Sequence, residues 1–299
     1  MSLWIWAAIA GAAAQTGRNA AQRGLTAQIG TLGATNVRFL FGLPFAVAFL
    51  LAAAVWLNTP IPRPTLPVIL YTAIGALAQI GGTALMLLVM RSQGFGITTA
   101  WLKSEPVLVA FVGWALLGDP LTLPMLAAIA IAITGVLITT LKPGVGTDIL
   151  RETRPALLGL LAGFLFGLAA IGFRGGITAL PEGGFLIRAL TTLTLALAIQ
   201  SLALGLWLVF RDRPGLTGSF QHWRPSLAAG FLGALASAFW FIAFALTSAA
   251  NVRTLALVEV PMALIVARIA FGQATTRREN LGIAILLAGV ALLLLAEAA

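Results

Sequence analysis

Glu105 and Glu259 are carboxylates set in apolar company, in the stretches WLKSEPVLVAF and LVEVPMALIVA. Each has a proline within two residues, Pro106 and Pro261, and Lys103 stands just before the first. A carboxylate away from water can do three things. It can hold a proton, because burial raises its pKa; it can bind an ammonium group; or it can pair with a buried cation. Lys103 and Glu105 are two residues apart, so on a helix they point about 200° away from each other and cannot pair directly. Trp101 lies four residues before Glu105, and one helix face then offers a ring and a carboxylate to a ligand with apolar and cationic parts. Trp101, Lys103, Glu105 and Glu259 are therefore candidates for substrate or proton binding.

Four arginines lie inside other apolar runs: Arg18, Arg38, Arg174 and Arg188. An ionisable group near the centre of a bilayer costs roughly 2.5–3.5 kcal/mol on insertion scales, so such groups face protein or a wet cavity. A guanidinium fork matches a carboxylate, which makes these four candidates for gating or carboxylate contact. Arg253 and Arg268 lie closer to expected span ends, where a long side chain can snorkel. Pro106 and Pro261 each remove a backbone donor and free a carbonyl, at Leu102 and Leu257, and both are candidate hinges.

The elements that must hold these residues are membrane spans. The chain of 299 residues is 60% hydrophobic and 9% charged, against about 45–50% and about 25% in soluble domains. Apolar runs able to cross about 30 Å of hydrocarbon fall at 3–22, 33–57, 67–91, 95–117, 122–141, 155–180, 184–210, 225–249, 252–271 and 278–297. NTPIPRP, GDP, KPG, PEGG and RDRPG mark the loops between them. MSLWIWAAIAG has no basic residue ahead of its apolar stretch and reads as the first span, not a cleaved signal.

The net charge of +9 is explained by loop arginines under the positive-inside rule and needs no nucleic acid. Most loop Lys and Arg collect on one face, which is expected to be cytoplasmic. With an even number of spans, both termini then fall on the non-cytoplasmic side. The chain has no cysteine and one histidine, His222 in a polar loop. It has no GxxxxGK[ST] loop, no metal-ligand cluster and no Ser/His/Asp set. No cofactor, no metal and no enzymatic activity is expected.

A shift of 154 residues lays Glu105 on Glu259, Gly118 on Gly272, Thr122 on Thr276 and Gly135 on Gly289. Arg38 and Arg188, and Arg18 and Arg174, correspond at slightly different offsets. The unit is about five spans, over 1–141 and 155–299 with a linker at 142–154. An odd number of spans inverts the second copy, which is a transporter signature. The expected fold is all-α integral membrane: ten helices as two inverted five-helix repeats around a central cavity. A carboxylate belt would line that cavity, with basic constrictions on either side. Small-residue spacings such as Gly163 with Gly167 and Gly230 with Gly233 suit close helix contact. A monomer is expected, and the same spacings leave a dimer open.

RFLFGLPFA at 38–46, SEPVLVAFVGWALLGDPLT at 104–122 and VEVPMALIVARIAFGQATT at 258–276 resemble the drug/metabolite transporter superfamily, in particular its EamA-like ten-helix members. The resemblance spans essentially the whole chain. It implies a helical basket around a central cavity and is similar to amino-acid exporters of the YddG type. Lys103 departs from the repeat, since Leu257 takes its place in the second half. The reading is a secondary transporter in a bacterial-type inner membrane. Its partners would be the lipid bilayer, a small zwitterionic or anionic metabolite, and protons if transport is coupled, with amino-acid export as the specific expectation. The alternatives are an uptake carrier, an exporter of drug-like compounds or, from another class, a membrane enzyme or lipid scramblase.

Overall fold

The computed structural model describes residues 2–102, 105–141, 153–262, 264–265 and 276–298. Among them every regular element is helical: α1 (Leu3–Leu40), α2 (Leu43–Trp56), α3 (Leu66–Leu102), α4 (Glu105–Leu117), α5 (Leu123–Thr140), α6 (Thr153–Thr178), α7 (Phe185–Arg211), α8 (Arg213–Gln221), α9 (Trp223–Leu246), α10 (Ala249–Leu255) with a 3₁₀ turn at Ala256–Val258, and α11 (Arg277–Ala298). Among the described residues, six stretches are long and apolar enough to cross a membrane: Leu32–Trp56, Leu66–Met86, Leu157–Thr178, Phe185–Arg211, Trp223–Leu246 and Arg277–Glu297. Glu105–Leu117 and Leu123–Thr139 are apolar and shorter. Residues 263 and 266–271 of the expected ninth span lie outside the described residues.

Several boundaries differ from the sequence expectation. The first helix does not stop near residue 22 but runs to Gly30, whose φ of 73° breaks it. The expected second span divides at Phe41–Gly42, because Pro44 cannot continue the ladder of α1 and instead starts α2. A Cβ at Gly42 would collide with the Arg38 carbonyl, so this turn requires glycine. No break occurs at 92–94. That region has two glycines, Gly94 and Gly96, and no proline; interior glycines cost only about 1 kcal/mol each, too little to end a helix. The polar connection at 211–224 contains α8, whose first turn is capped by Asp212 (Oδ1 accepts from Gly215 N–H at 3.1 Å) and opened by Pro214.

The chain divides into two compact units that are not the two sequence halves. Unit 1 is Met1–Ile80 with Gly172–Thr247, and unit 2 is Gly81–Ile171 with Ser248–Ala299. In unit 1, α1 packs along α9. Gly11 lies against Trp240, and the Trp240 indole N–H donates to Gln15 Oε1 at 3.1 Å. Gly172, Gly175 and Gly176 admit Gly75, Tyr71 and Thr72 of α3 at backbone distance. Buried Gln200 donates to Gln79 Oε1 at 2.7 Å, a side-chain link of the kind that joins apolar helices.

In unit 2 the dominant contact is α5 against α11. A Cβ at Gly135 would meet Leu286 N and lie 2.6 Å from Gly282 O; a Cβ at Gly289 would meet Ala132 N and lie 2.8 Å from Ala128 O. Subtracting 154 from 289, 286 and 282 gives 135, 132 and 128, so the two sets of contacts interchange. Positions rise along one helix as they fall along the other. The pair is antiparallel and self-complementary about a two-fold axis perpendicular to both helices, an isologous contact within one chain. Both helices also begin alike. Thr122 Oγ1 accepts from Met125 N–H at 3.4 Å, and Thr276 Oγ1 accepts from Glu279 N–H at 3.2 Å. Glu279 returns the bond to the Thr276 N–H at 2.6 Å, completing a capping box.

Candidate functional site

Glu105 lies on α4 and is buried, its stem packed towards Gly167 of α6. It meets Arg253 of α10. Arg253 Nη2 donates to Glu105 Oε2 at 2.7 Å, and Nε lies 2.6 Å from Oε1 without the alignment of a hydrogen bond. The Glu105 side chain is 8% exposed and that of Arg253 26%, so the carboxylate is the more deeply held partner. Glu259, half-buried, also acts electrostatically on the Arg253 guanidinium. The two repeat-related glutamates thus bear on one arginine inside unit 2. Arg253 has no counterpart in the first half, where a shift of 154 leads to Thr99.

Arg253 is therefore not a snorkelling residue at a span edge. The expected helix limits of 249 and 252 are replaced by a break at Thr247–Ser248. Ser248 caps α10 by accepting from Asn251 N–H at 3.2 Å. α10 lasts seven residues and tightens into the 3₁₀ turn Ala256–Val258. Pro261 lacks the donor that the Leu257 carbonyl would use in an α-helix, and the Glu259 N–H turns towards Ala256 O and Leu257 O instead. Arg253 thus sits in the middle of a short helix between two interruptions.

Pro106 is buried beside Glu105 on α4. Lys103 and the side chain of Trp101 lie outside the described residues.

The four remaining arginines all belong to unit 1 and do different things. Arg174 donates from Nη1 to the Phe244 carbonyl at 2.8 Å and to the Thr247 carbonyl. It caps the carbonyl end of α9, a structural use that the sequence did not suggest. Arg188, half-buried on α7, has a buried Nε with no partner among the described residues. Arg18 is buried on α1, and Arg38 is half-buried on the last turn of the same chain segment. Both reach Gly233 of α9: a Cβ there would lie 2.9 Å from Arg38 Cγ and 3.6 Å from Arg18 Cδ. The Arg38 guanidinium rests 4.6 Å from the centre of the Phe39 ring. No group of three or more His, Cys, Asp or Glu suited to a metal occurs among the described residues.

The sequence profile of the EamA-like transporter family matches residues 2–141 and, a second time, residues 153–295. The chain belongs to the EamA-like transporter family. No curated protein matches the sequence. One solved crystal structure, described in no more detail than as that of a protein, superposes with a TM-score of 0.73. The alignment covers 99% of this chain and 98% of the other at 14% identity, a likeness of fold. As an EamA-like protein with several membrane-crossing helices, the chain is a multi-pass membrane transporter of the drug/metabolite type.

Proposed function

We propose that this EamA-like protein is a secondary transporter that moves small zwitterionic or anionic metabolites across the inner membrane by alternating access, with amino-acid export as the favoured case. The observation that carries the reading is the Glu105–Arg253 pair in an interrupted helix, with Glu259 acting on the same guanidinium. Interrupted helices at membrane depth are tolerated where they are buried in protein or line a wet path, and in transporters they hold substrate and ion sites. Two carboxylates around one guanidinium form a set whose partners can be exchanged. A proton or a substrate ammonium taken up by one glutamate leaves Arg253 to the other.

The ten-helix arrangement as two inverted repeats is part of the proposal. The antiparallel two-fold contact of α5 with α11 supports it, because an axis perpendicular to two membrane-crossing helices lies in the membrane plane. The loop charges support cytoplasmic placement of the Arg-rich face and non-cytoplasmic termini. Lys103 and Trp101 remain proposed substrate contacts, and protons remain proposed partners. Uptake, export of drug-like compounds and a scramblase or enzyme role are the outcomes that would replace this reading.

The test is efflux and counterflow in proteoliposomes against the amino acids and a panel of organic anions. Glu105→Gln, Glu259→Gln, Lys103→Met and Arg253→Met are assayed beside the parent. Saturable movement of at least one panel member is expected, with losses of tenfold or more in the first, second and fourth variants. Variants that all transport like the parent would sink the site. A parent that moves no panel member while scrambling labelled lipid would sink the function. Cysteine accessibility at positions 2 and 298 reads the topology, and labelling from the cytoplasmic side overturns it.

A further inference from the structure

The connection from α7 to α9 joins two membrane-crossing helices, Phe185–Arg211 and Trp223–Leu246. The end of one and the start of the other therefore lie at the same membrane surface, with α8 between them. α8 is an ordered part of unit 1. Its inner face is small and rests on α1: a Cβ at Gly33 would lie 2.9 Å from Gly215 O, and a Cβ at Gly218 2.7 Å from Ile29 Cγ2. The Ser226 hydroxyl of α9 donates to the Ser219 carbonyl at 2.8 Å, and the Phe220 ring meets Phe41 of unit 1 at 5.4 Å. The outer face is the stripe Arg213, Thr217, Phe220 and Gln221, all exposed. The helix ends beside it continue the same mixture. Phe210 is 78% exposed and Trp223 51%, next to exposed Arg211 and Arg224. Large aromatic rings beside arginines at the end of a span are the composition of a membrane–water interface.

The charge here is one-sided. Residues 207–224 hold three arginines and one acidic residue, Asp212, with half-buried His222 the other titratable group. The Asp212 carboxylate is turned onto the Gly215 N–H. Arg213 donates Nε to the Val209 carbonyl at 2.9 Å, which leaves both Nη groups for other acceptors. The Arg224 guanidinium lies 5.3 Å from the centre of the Trp223 ring. Arg211 has no hydrogen bond or ion pair among the described residues.

We propose that α8 and the helix ends beside it form a docking surface for the headgroups of anionic phospholipids, with Arg211, Arg213 and Arg224 on the phosphates and Phe220 and Trp223 in the apolar layer next to them. A guanidinium fork matches the oxygens of a phosphate, and each basic residue near an anionic membrane surface adds to the attraction. Water would satisfy the arginines alone; the exposed rings among them select an occupant that is anionic at one end and apolar at the other. The proposal needs only that α7 and α9 cross the bilayer, so it goes beyond the transport reading without resting on it.

The full-length protein in neutral detergent is titrated with dioleoyl phosphatidylglycerol or dioleoyl phosphatidylcholine, and bound lipid is counted by native mass spectrometry. Saturable binding of phosphatidylglycerol is expected, tighter than that of phosphatidylcholine. Arg211→Gln and Arg224→Gln should each weaken the phosphatidylglycerol affinity by about fivefold. Arg63→Gln, the same charge loss at an exposed loop position elsewhere, should leave it unchanged. Trp223→Leu keeps every charge but removes the ring under Arg224, and should weaken phosphatidylglycerol as well; if the arginine variants do not fold, this variant decides. Inorganic phosphate at constant ionic strength should not compete with the lipid. Equal affinity for the two lipids overturns the proposal, and so does phosphatidylglycerol binding undiminished in the arginine variants and in Trp223→Leu. Competition by inorganic phosphate would make the surface a site for a soluble anion and overturn the lipid assignment. A loss as large in Arg63→Gln as in Arg224→Gln would reduce the effect to net charge and overturn it too.

Discussion

The two units of this protein treat buried arginine in opposite ways. Unit 2 gives Arg253 a carboxylate at 2.6–2.7 Å and a second one nearby. Unit 1 gives Arg174 two backbone carbonyls, and brings Arg18 and Arg38 together over a glycine in a region almost empty of acidic residues. An arginine matched within its own unit is a structural or switching element. Unit 1 instead sets its arginines against backbone carbonyls, an aromatic ring and a glycine face. The comparison teaches that the net charge of a membrane protein is less informative than its division among packing units.

The sharpest way to break the comparison is to unpair unit 2. Glu105→Gln leaves Arg253 without its closest counter-charge, and should destabilise the protein by about 3–5 kcal/mol in reversible unfolding from mixed micelles. Arg253→Met should cost a similar amount, and the double variant should recover most of the loss. Full additivity in that cycle would mean that the pair is not coupled. Next in size is Arg174→Met, which strips two carbonyl bonds and should cost about 2–3 kcal/mol. Since its partners are backbone, the same variant should leave the substrate profile of the remaining folded protein unchanged; a changed profile would move Arg174 into the binding machinery. Smaller again are Gly135→Ala and Gly289→Ala, each forcing a methyl onto facing backbone at a cost of about 1–3 kcal/mol. The two-fold contact requires the two costs to agree within about 0.5 kcal/mol, and unequal melting shifts would show that the symmetry is not energetic.

Much of this was legible in the sequence, and the failures have physical causes. Glu105, Gly135, Thr122 and their partners 154 residues on stood out because carboxylates, helix-packing glycines and capping threonines are constrained wherever they occur. Glu105's need for a cation was legible too. The identity of that cation was not, because Arg253 looked like an edge residue until the helix broke at Thr247–Ser248, and hydropathy does not register a break inside an apolar run. Arg174's acceptors are carbonyls 70 and 73 residues away, and every residue carries a carbonyl, so no pattern points to them. α8 hid in a polar stretch, yet Asp212 two places before Pro214 was a readable start signal. The convergence of Arg18 and Arg38 depends on Gly233, whose spacing from Gly230 promised close packing without saying what would come close.

The break at Thr247–Ser248 also bears on how twist travels along the chain. The backbone passes from one unit to the other three times, at 80–81 within α3, at 171–172 within α6, and at 247–248. The first two crossings are inside helices, where each peptide is tied to the next turn and torsion is stiff. The third is made of two extended residues, with φ of −147° and −61°, between a carbonyl end clamped by Arg174 and a helix start capped by Ser248. Torsional compliance is thus gathered into a single joint of four backbone angles, one helical turn from Arg253.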